Sequence, residues 1–239
     1  MGSATAILKR STGWKIFSAI TCALGLLILP GFFATTHGPR TLKRIALTLD
    51  DGPHPTYTDL FLRYIAQEKI PATFFISGNG ALTYPALLRK LAISGHEIGN
   101  HSLTHKPLAW SAPWEIAREI QATDQLIRAS GYTGPIAFRA PFGQRFGILS
   151  WVLAFQARSN TLYDVKPSAP DYFRSDPQAM ADAMYANVRA GSILLLHDGG
   201  GERVEALEAL ARLVPRLKQE GFEFVTLSAL LNSKKESLP

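Results

Sequence analysis

The stretch Leu47–Tyr57, LTLDDGPHPTY, joins a short apolar run to two adjacent acids and then to Gly52-Pro53, which stops the run. Thirteen residues with helical spacing follow, from Tyr57 to Lys69, with Leu60, Tyr64 and Ile65 on one side. A strand that ends in a turn and leads into a helix is half of a βα unit. The acids pose a question: adjacent carboxylates repel, and burying them is costly unless a partner compensates. Taken alone, the stretch also suits a plain type I turn.

The same alternation runs on from there. Ile45–Leu49, Ala72–Ile76, Glu97–Asn100, Ala137–Ala140, Thr161–Val165, Ser192–His197 and Glu223–Thr226 read as strands. Helices are expected at Tyr57–Lys69, Ala81–Ser94, Pro113–Ser130, Phe146–Ala157, Gln178–Arg189 and Glu202–Glu220. Strands alternating with helices imply parallel βα units. About seven of them, without a glycine-rich dinucleotide signature, favour an α/β barrel over an open doubly wound sheet.

The 239 residues are 46% hydrophobic and 18% charged, enough for a packed core. The net charge of +6 comes from six basic residues before Asp50; the other 19 balance 19 acids. The body is therefore neutral, and with no basic stripe among aromatics a nucleic-acid partner is set aside. Cys22 is the only cysteine, which excludes an internal disulfide and a cysteine zinc site.

Residues 1–15 are basic. The uncharged run that follows, IFSAITCALGLLILPGFF over Ile16–Phe33, matches the roughly 17–25 residues a bilayer requires. The region 16–34 reads as a transmembrane anchor, N-terminus in the cytoplasm, with a cleaved signal peptide as its rival. Residues 35–43 form a linker, 44–232 a single catalytic domain, and 233–239 a tail. A domain exported in this way lies outside the cytoplasm; the sequence points to no obligate protein partner.

In α/β barrels functional groups gather at the C-terminal ends of the strands. Asp50 and Asp51, His101, Arg139, Asp164, and His197 with Asp198 all follow or end a strand. HSLTH places His101 and His105 four residues apart, so one turn or a tight loop can aim both imidazoles at one point. Two imidazoles and a carboxylate make a catalytic metal site with open positions. Only one of the two acids need bind metal; the other can serve as general base. Arg139 among carboxylates would orient an acid and hold its pKa low. His197 suits a general acid, and Leu195, on the same strand face, an apolar pocket. His54 and His96 lack a partner at ligand spacing and read as structural. Trp110, Trp114 and Trp151 are candidates for sugar stacking, with core packing favoured for those on apolar helix faces.

These pieces, in this order, resemble the polysaccharide deacetylases, carbohydrate esterase family 4. TLDDGP stands for the family's T-F-D-D-G-P, with Leu49 for Phe; HSLTH, RAPFG and LLHD match its second, third and fifth motifs. The resemblance implies a distorted, incomplete (β/α) barrel. It makes Asp50 the general base and His197 the general acid. Asp51, His101 and His105 would ligate one divalent metal, usually zinc, with cobalt, nickel or manganese as alternatives. Arg139 would orient Asp50, and the Phe142 backbone N–H would meet the oxyanion. The implied reaction removes N-acetyl groups from amino sugars of a chitin- or peptidoglycan-like polysaccharide. O-deacetylation of xylan-like polymers, or a carbohydrate-binding homologue without catalysis, are the rivals. The fourth motif departs from D-x-x-D-W: the region reads YDVKPSAPDYF, with Tyr172 for Trp. Asp171, ahead of Asp164, is the expected partner of His197, and Tyr172 the expected pocket wall.

Overall fold

The computed structural model describes residues 34–167 and 176–232. Strands β1 (Arg44–Asp50), β2 (Thr73–Ile76), β3 (Glu97–Asn100), β4 (Ile193–His197) and β5 (Glu223–Phe224) pair in parallel. The sheet order is β3-β2-β1-β4, and β5 pairs with Arg44 and Ile45 at the start of β1. Helices α1 (Tyr57–Gln67), α2 (Gly78–Thr83), α3 (Pro85–Ile93), α4 (Pro113–Ala129), α5 (Ile148–Phe155), α6 (Pro177–Tyr185), α7 (Val204–Gln219) and α8 (Leu227–Asn232) fill the connections.

Two of the seven expected strands are reduced to single bridges. Phe138 pairs with Asn100 on one side and Asn160 on the other, and Val165 pairs with Leu194 of β4. The reason lies in side chains that take the backbone partners a ladder would use. Arg139 donates to the carbonyl oxygens of Thr161 and Leu162, and the Asn160 side chain accepts from the Ala140 N–H. With these bridges the pairing still returns from β3 through Phe138, Asn160 and Val165 to β4 and β1.

The helix expected at Ala81–Ser94 is divided at Tyr84, whose φ of −126° and ψ of 56° lie outside the helical region. Pro85 opens the second piece; a residue before proline is disfavoured in helix, and proline is well placed at a helix start. Helix α8 was not expected. The hydrophobic helix expected at the N-terminus falls outside the described residues; among those described, no helix is long and apolar enough to cross a membrane.

Alternation along the strands separates two interiors. Ile45, Leu47, Leu49, Phe74, Ile76, Ile98, Leu194 and Leu196 point into the helix layer and form the main core. Helix α7 meets them with Ala206, Ala209, Leu210, Leu213, Val214 and Leu217, all buried, a stripe at helical spacing. Each buried leucine or valine of that stripe contributes about 1.5–3 kcal/mol of burial free energy, the alanines less. The opposite set, Ala46, Phe75 and Ile193, packs with Leu227 and Leu230 of α8, which closes the end where the strands begin. Nearer the strand ends the inward positions turn polar: Thr48, Asp50 and His197. Leu49, the departure from the family's aromatic, thus lies in the helix-side core, away from the polar end.

Gly99 sits on the inner face of β3, where a Cβ would lie 2.4 Å from the Phe75 ring. That ring carries the Arg139 guanidinium 4.0 Å above its centroid. Gly99→Ala is therefore expected to destabilise the fold by about 1–3 kcal/mol through overpacking. Urea unfolding monitored by circular dichroism measures it; unchanged stability would show that Phe75 is free to move.

Candidate active site

Asp50 is the last residue of β1 and its side chain points inward, 2% exposed. In a regular strand Asp51 would point the other way. It does not, because the chain leaves strand geometry: Asp51 has φ 73°, the left-handed region. Both carboxylates thereby face one space.

His101 follows β3 directly, held by its N–H to the Ile76 carbonyl oxygen. Its Nδ1 donates to the Arg139 carbonyl oxygen at 2.8 Å, which leaves the Nε2 lone pair facing the acids. HSLTH is a tight loop rather than a helical turn. Ser102 and His105 have φ of 67° and 56°. The Asn100 side chain accepts from the Ser102 N–H, and the Ser102 hydroxyl from the His105 N–H. From α4 the buried Glu119 carboxylate accepts both the N–H and the hydroxyl of Thr104. Glu119 went unnoticed in the sequence because it reads there as one more helix acid.

Oδ1 of Asp51 lies 3.1 Å from His105 Nε2 and 3.5 Å from His101 Nε2. It is buried and accepts no well-formed hydrogen bond. One donor atom from each of the three residues falls within 4.8 Å of the others. Two imidazoles and one carboxylate oxygen, converging with an orphaned acceptor, fit a divalent ion with coordination positions left over. Burial alone would raise the Asp51 carboxyl; the contact with His105 and the charges of His101, His197 and His105 outweigh it and lower its pKa to about 2. Burial pushes His101 below its ordinary value, against the pull of Asp50 and Asp51.

Arg139 donates through Nη1 to Asp50 Oδ1 at 2.6 Å and to Thr48 Oγ1 at 2.8 Å. The other Asp50 oxygen lies 3.7 Å from His101 Nε2. His197, half-buried, ends β4 in register with Asp50, so it stands on the other side of the general-base candidate. Leu195 is buried on the same strand face. Phe142 has φ 58° in a single 3-10 turn, and its exposed ring meets His105 edge-on at 4.8 Å.

Several expectations change. Asp164 does not reach this end: it accepts from the Ile193 N–H at 2.8 Å and pairs with Arg40 at 2.7 Å. Ile193 begins β4, four residues or about 13 Å of strand from His197, so Asp164 is no partner for it. Asp171 and Tyr172 lie outside the described residues. Trp110, in a turn, and Trp114, on α4, are 79% and 75% exposed and pack in no core; Trp151 is half-buried. His54 accepts from the N–H groups of Thr56 and Tyr57 at the start of α1. Two further buried groups lie beside the acids, Asp198 from the expected rim and Arg203, which the sequence did not single out. Asp198 donates its N–H to the Asp50 carbonyl oxygen and accepts a short hydrogen bond from Thr58. Arg203, 1% exposed, places Nη2 3.9 Å from Asp51 Oδ2.

A family model described as polysaccharide deacetylase matches residues 37–154. The peptidoglycan-N-acetylglucosamine deacetylase of Bacillus cereus is 32% identical over 205 residues, covering 86% of this chain and 96% of that protein. The chain belongs to the polysaccharide deacetylase family. A second member, the chitooligosaccharide deacetylase of Sinorhizobium fredii, is 33% identical over 189 residues, 74% of this chain and 87% of its own. Among solved members, a family 4 acetyl xylan esterase from Clostridium thermocellum holding a cobalt ion superposes with a TM-score of 0.72. It is 32% identical, over 80% of this chain and 92% of that one.

Asp198 is fully buried, and burial, together with the charges of Asp51 and Asp50, raises its carboxyl to about 7. An unfolded aspartate titrates near 3.9. Between those values the unfolded chain has released a proton that the folded chain retains, so stability falls as pH rises. The contribution is full below about pH 4 and gone above about pH 7. Asp198→Asn should remove that slope, with a difference from wild type on the order of a few kcal/mol. Denaturant midpoints of both proteins from pH 4 to 8 test it; parallel curves would refute the raised carboxyl.

Proposed function

We propose that this member of the polysaccharide deacetylase family is a metal-dependent hydrolase that removes N-acetyl groups from amino sugars of a chitin- or peptidoglycan-like polysaccharide, releasing acetate. The observation that carries the reading is the convergence of Asp51, His101 and His105 beside an Arg139-held Asp50, with His197 opposite. A divalent ion on Asp51, His101 and His105, with zinc expected, would supply Lewis-acid polarisation of the acetyl carbonyl and a water acidified toward neutral pH.

The remaining steps belong to side chains. Asp50 takes the proton from the attacking water through Oδ2, since Oδ1 is committed to Arg139. The Phe142 N–H, presented by its left-handed turn, donates to the oxyanion. His197 gives a proton to the sugar nitrogen as the C–N bond breaks, leaving a free amine and acetate. Leu195 and Tyr172 border the acetyl methyl, and Asp171 tunes His197. The domain adopts an irregular (β/α) barrel outside the cytoplasm, tethered through residues 16–34, where such polymers are found. The uncharged run Ile16–Phe33 after a basic segment supports that placement.

A second reading, O-deacetylation, is favoured by the likeness to the acetyl xylan esterase. Acetate release from chitin oligomers, peptidoglycan and acetylated xylan separates the two. Asp50→Asn is expected to retain one equivalent of metal and lose about 10²–10⁴ in kcat. His105→Ala is expected to lose metal and activity together. Full turnover by Asp50→Asn, or by chelator-treated protein, would sink the mechanism.

A further inference from the structure

Arg203 is a buried cation that the steps above do not use. It and Arg139 are the largest of the fully buried side chains. Its Nε donates to the Gly199 carbonyl oxygen at 2.6 Å and its Nη1 to that of Glu202 at 3.4 Å. The guanidinium is thus fastened to the loop between β4 and α7, and its Nη2 faces Asp51 Oδ2 at 3.9 Å. The other oxygen of that carboxylate, Oδ1, faces His105 and His101. One carboxylate is therefore divided between two imidazoles and a guanidinium.

The loop is shaped for this approach. A Cβ on Gly199 would lie 2.3 Å from the Asp51 carbonyl oxygen. A Cβ on Gly200 would lie 2.8 Å from Asp51 Oδ2 and 3.2 Å from Arg203 Nη2, between the two charges. Gly200 also has φ 73°, a conformation glycine adopts without strain.

The geometry points to Arg203 as a positioning residue for the metal centre: it holds Oδ2 of Asp51 so that Oδ1 alone is presented beside His101 and His105. The inference rests on reading those three residues as metal ligands. An unrestrained carboxylate rotates and can offer either oxygen or both. A permanent cation, fixed by its own loop, breaks that equivalence. Partners that orient ligands in this way typically account for 10–100-fold in metal affinity. A guanidinium this close also repels a dication, so removing it has two opposed effects whose net sign is measurable. Orientation predicts weaker binding, and repulsion predicts tighter binding.

The test uses the full-length protein stripped of metal, titrated with zinc against a chromophoric chelator, and the visible spectrum of its cobalt form. Arg203→Met is expected to weaken zinc binding by about 10–100-fold and to change the cobalt band intensities, which report coordination geometry. Arg203→Lys, which keeps the charge and loses the fork, should show a smaller loss in the same direction. It carries the test if Arg203→Met does not fold. Unchanged or tighter zinc binding with an unaltered cobalt spectrum, in whichever variant folds, overturns the inference and leaves the functional reading standing. Absence of zinc binding by the unsubstituted protein overturns the functional reading and the inference with it.

Discussion

The ion pair between Arg139 and Asp50 is the constraint on which the rest of the site depends. Both groups are almost fully buried, and removing two charges from water costs several kcal/mol per ion. The surroundings offset this by bonding all three guanidinium nitrogens. Nη1 bonds Asp50 and Thr48 of β1, and Nε and Nη2 bond the carbonyl oxygens of Thr161 and Leu162. The Phe75 ring of β2 covers one side. A single side chain thereby ties β1, β2 and two irregular segments into one wall. The irregularity follows from the same bonds, because backbone oxygens that accept from Arg139 are not available to a regular ladder.

Charge balance extends the point. Asp50, Asp51 and Asp198 lie together, with Arg139 and Arg203 as the guanidiniums facing them. Three carboxylates against two permanent cations leave one negative charge in excess, before the imidazoles are counted. Asp198 is fully buried, and burial together with the charges of its two neighbours raises its carboxyl to about 7. A proton there relieves the excess near neutral pH.

Much of the fold was legible in the sequence because parallel βα units impose a double signature, apolar strands followed by helical periodicity. Leu194 and Leu196 read as buried because Ile193–Leu196 is apolar without interruption. The site was legible where short motifs fix spacing, as in HSLTH and RAPFG. Legibility ended where tertiary contacts decide. Asp164 looked like a rim residue, but Val165 pairs with Leu194, near the start of β4, and carries Asp164 to the wrong end. Arg203 and Glu119 act through long-range contacts, and charged residues in or beside helices ordinarily mark solvent.

Backbone strain completes the account of the adjacent acids. Non-glycine residues in the left-handed region cost about 1–2 kcal/mol each. Among the described residues six adopt it, and four of these, Asp51, Ser102, His105 and Phe142, surround the site. Such strain persists only where the surroundings overdetermine it. Here they do: Asn100, the Ser102 hydroxyl and Glu119 fix the His105 loop, while Arg203 and Asp198 lie behind the Asp51 turn. Gly52 belongs to the same arrangement, since a Cβ there would lie 2.6 Å from the Asp198 carboxylate. Strand alternation would send two neighbouring carboxylates to opposite faces. A left-handed Asp51, with a separate guanidinium for each acid, places both on one face in different surroundings. That difference allows one carboxylate to suit a metal and the other a proton.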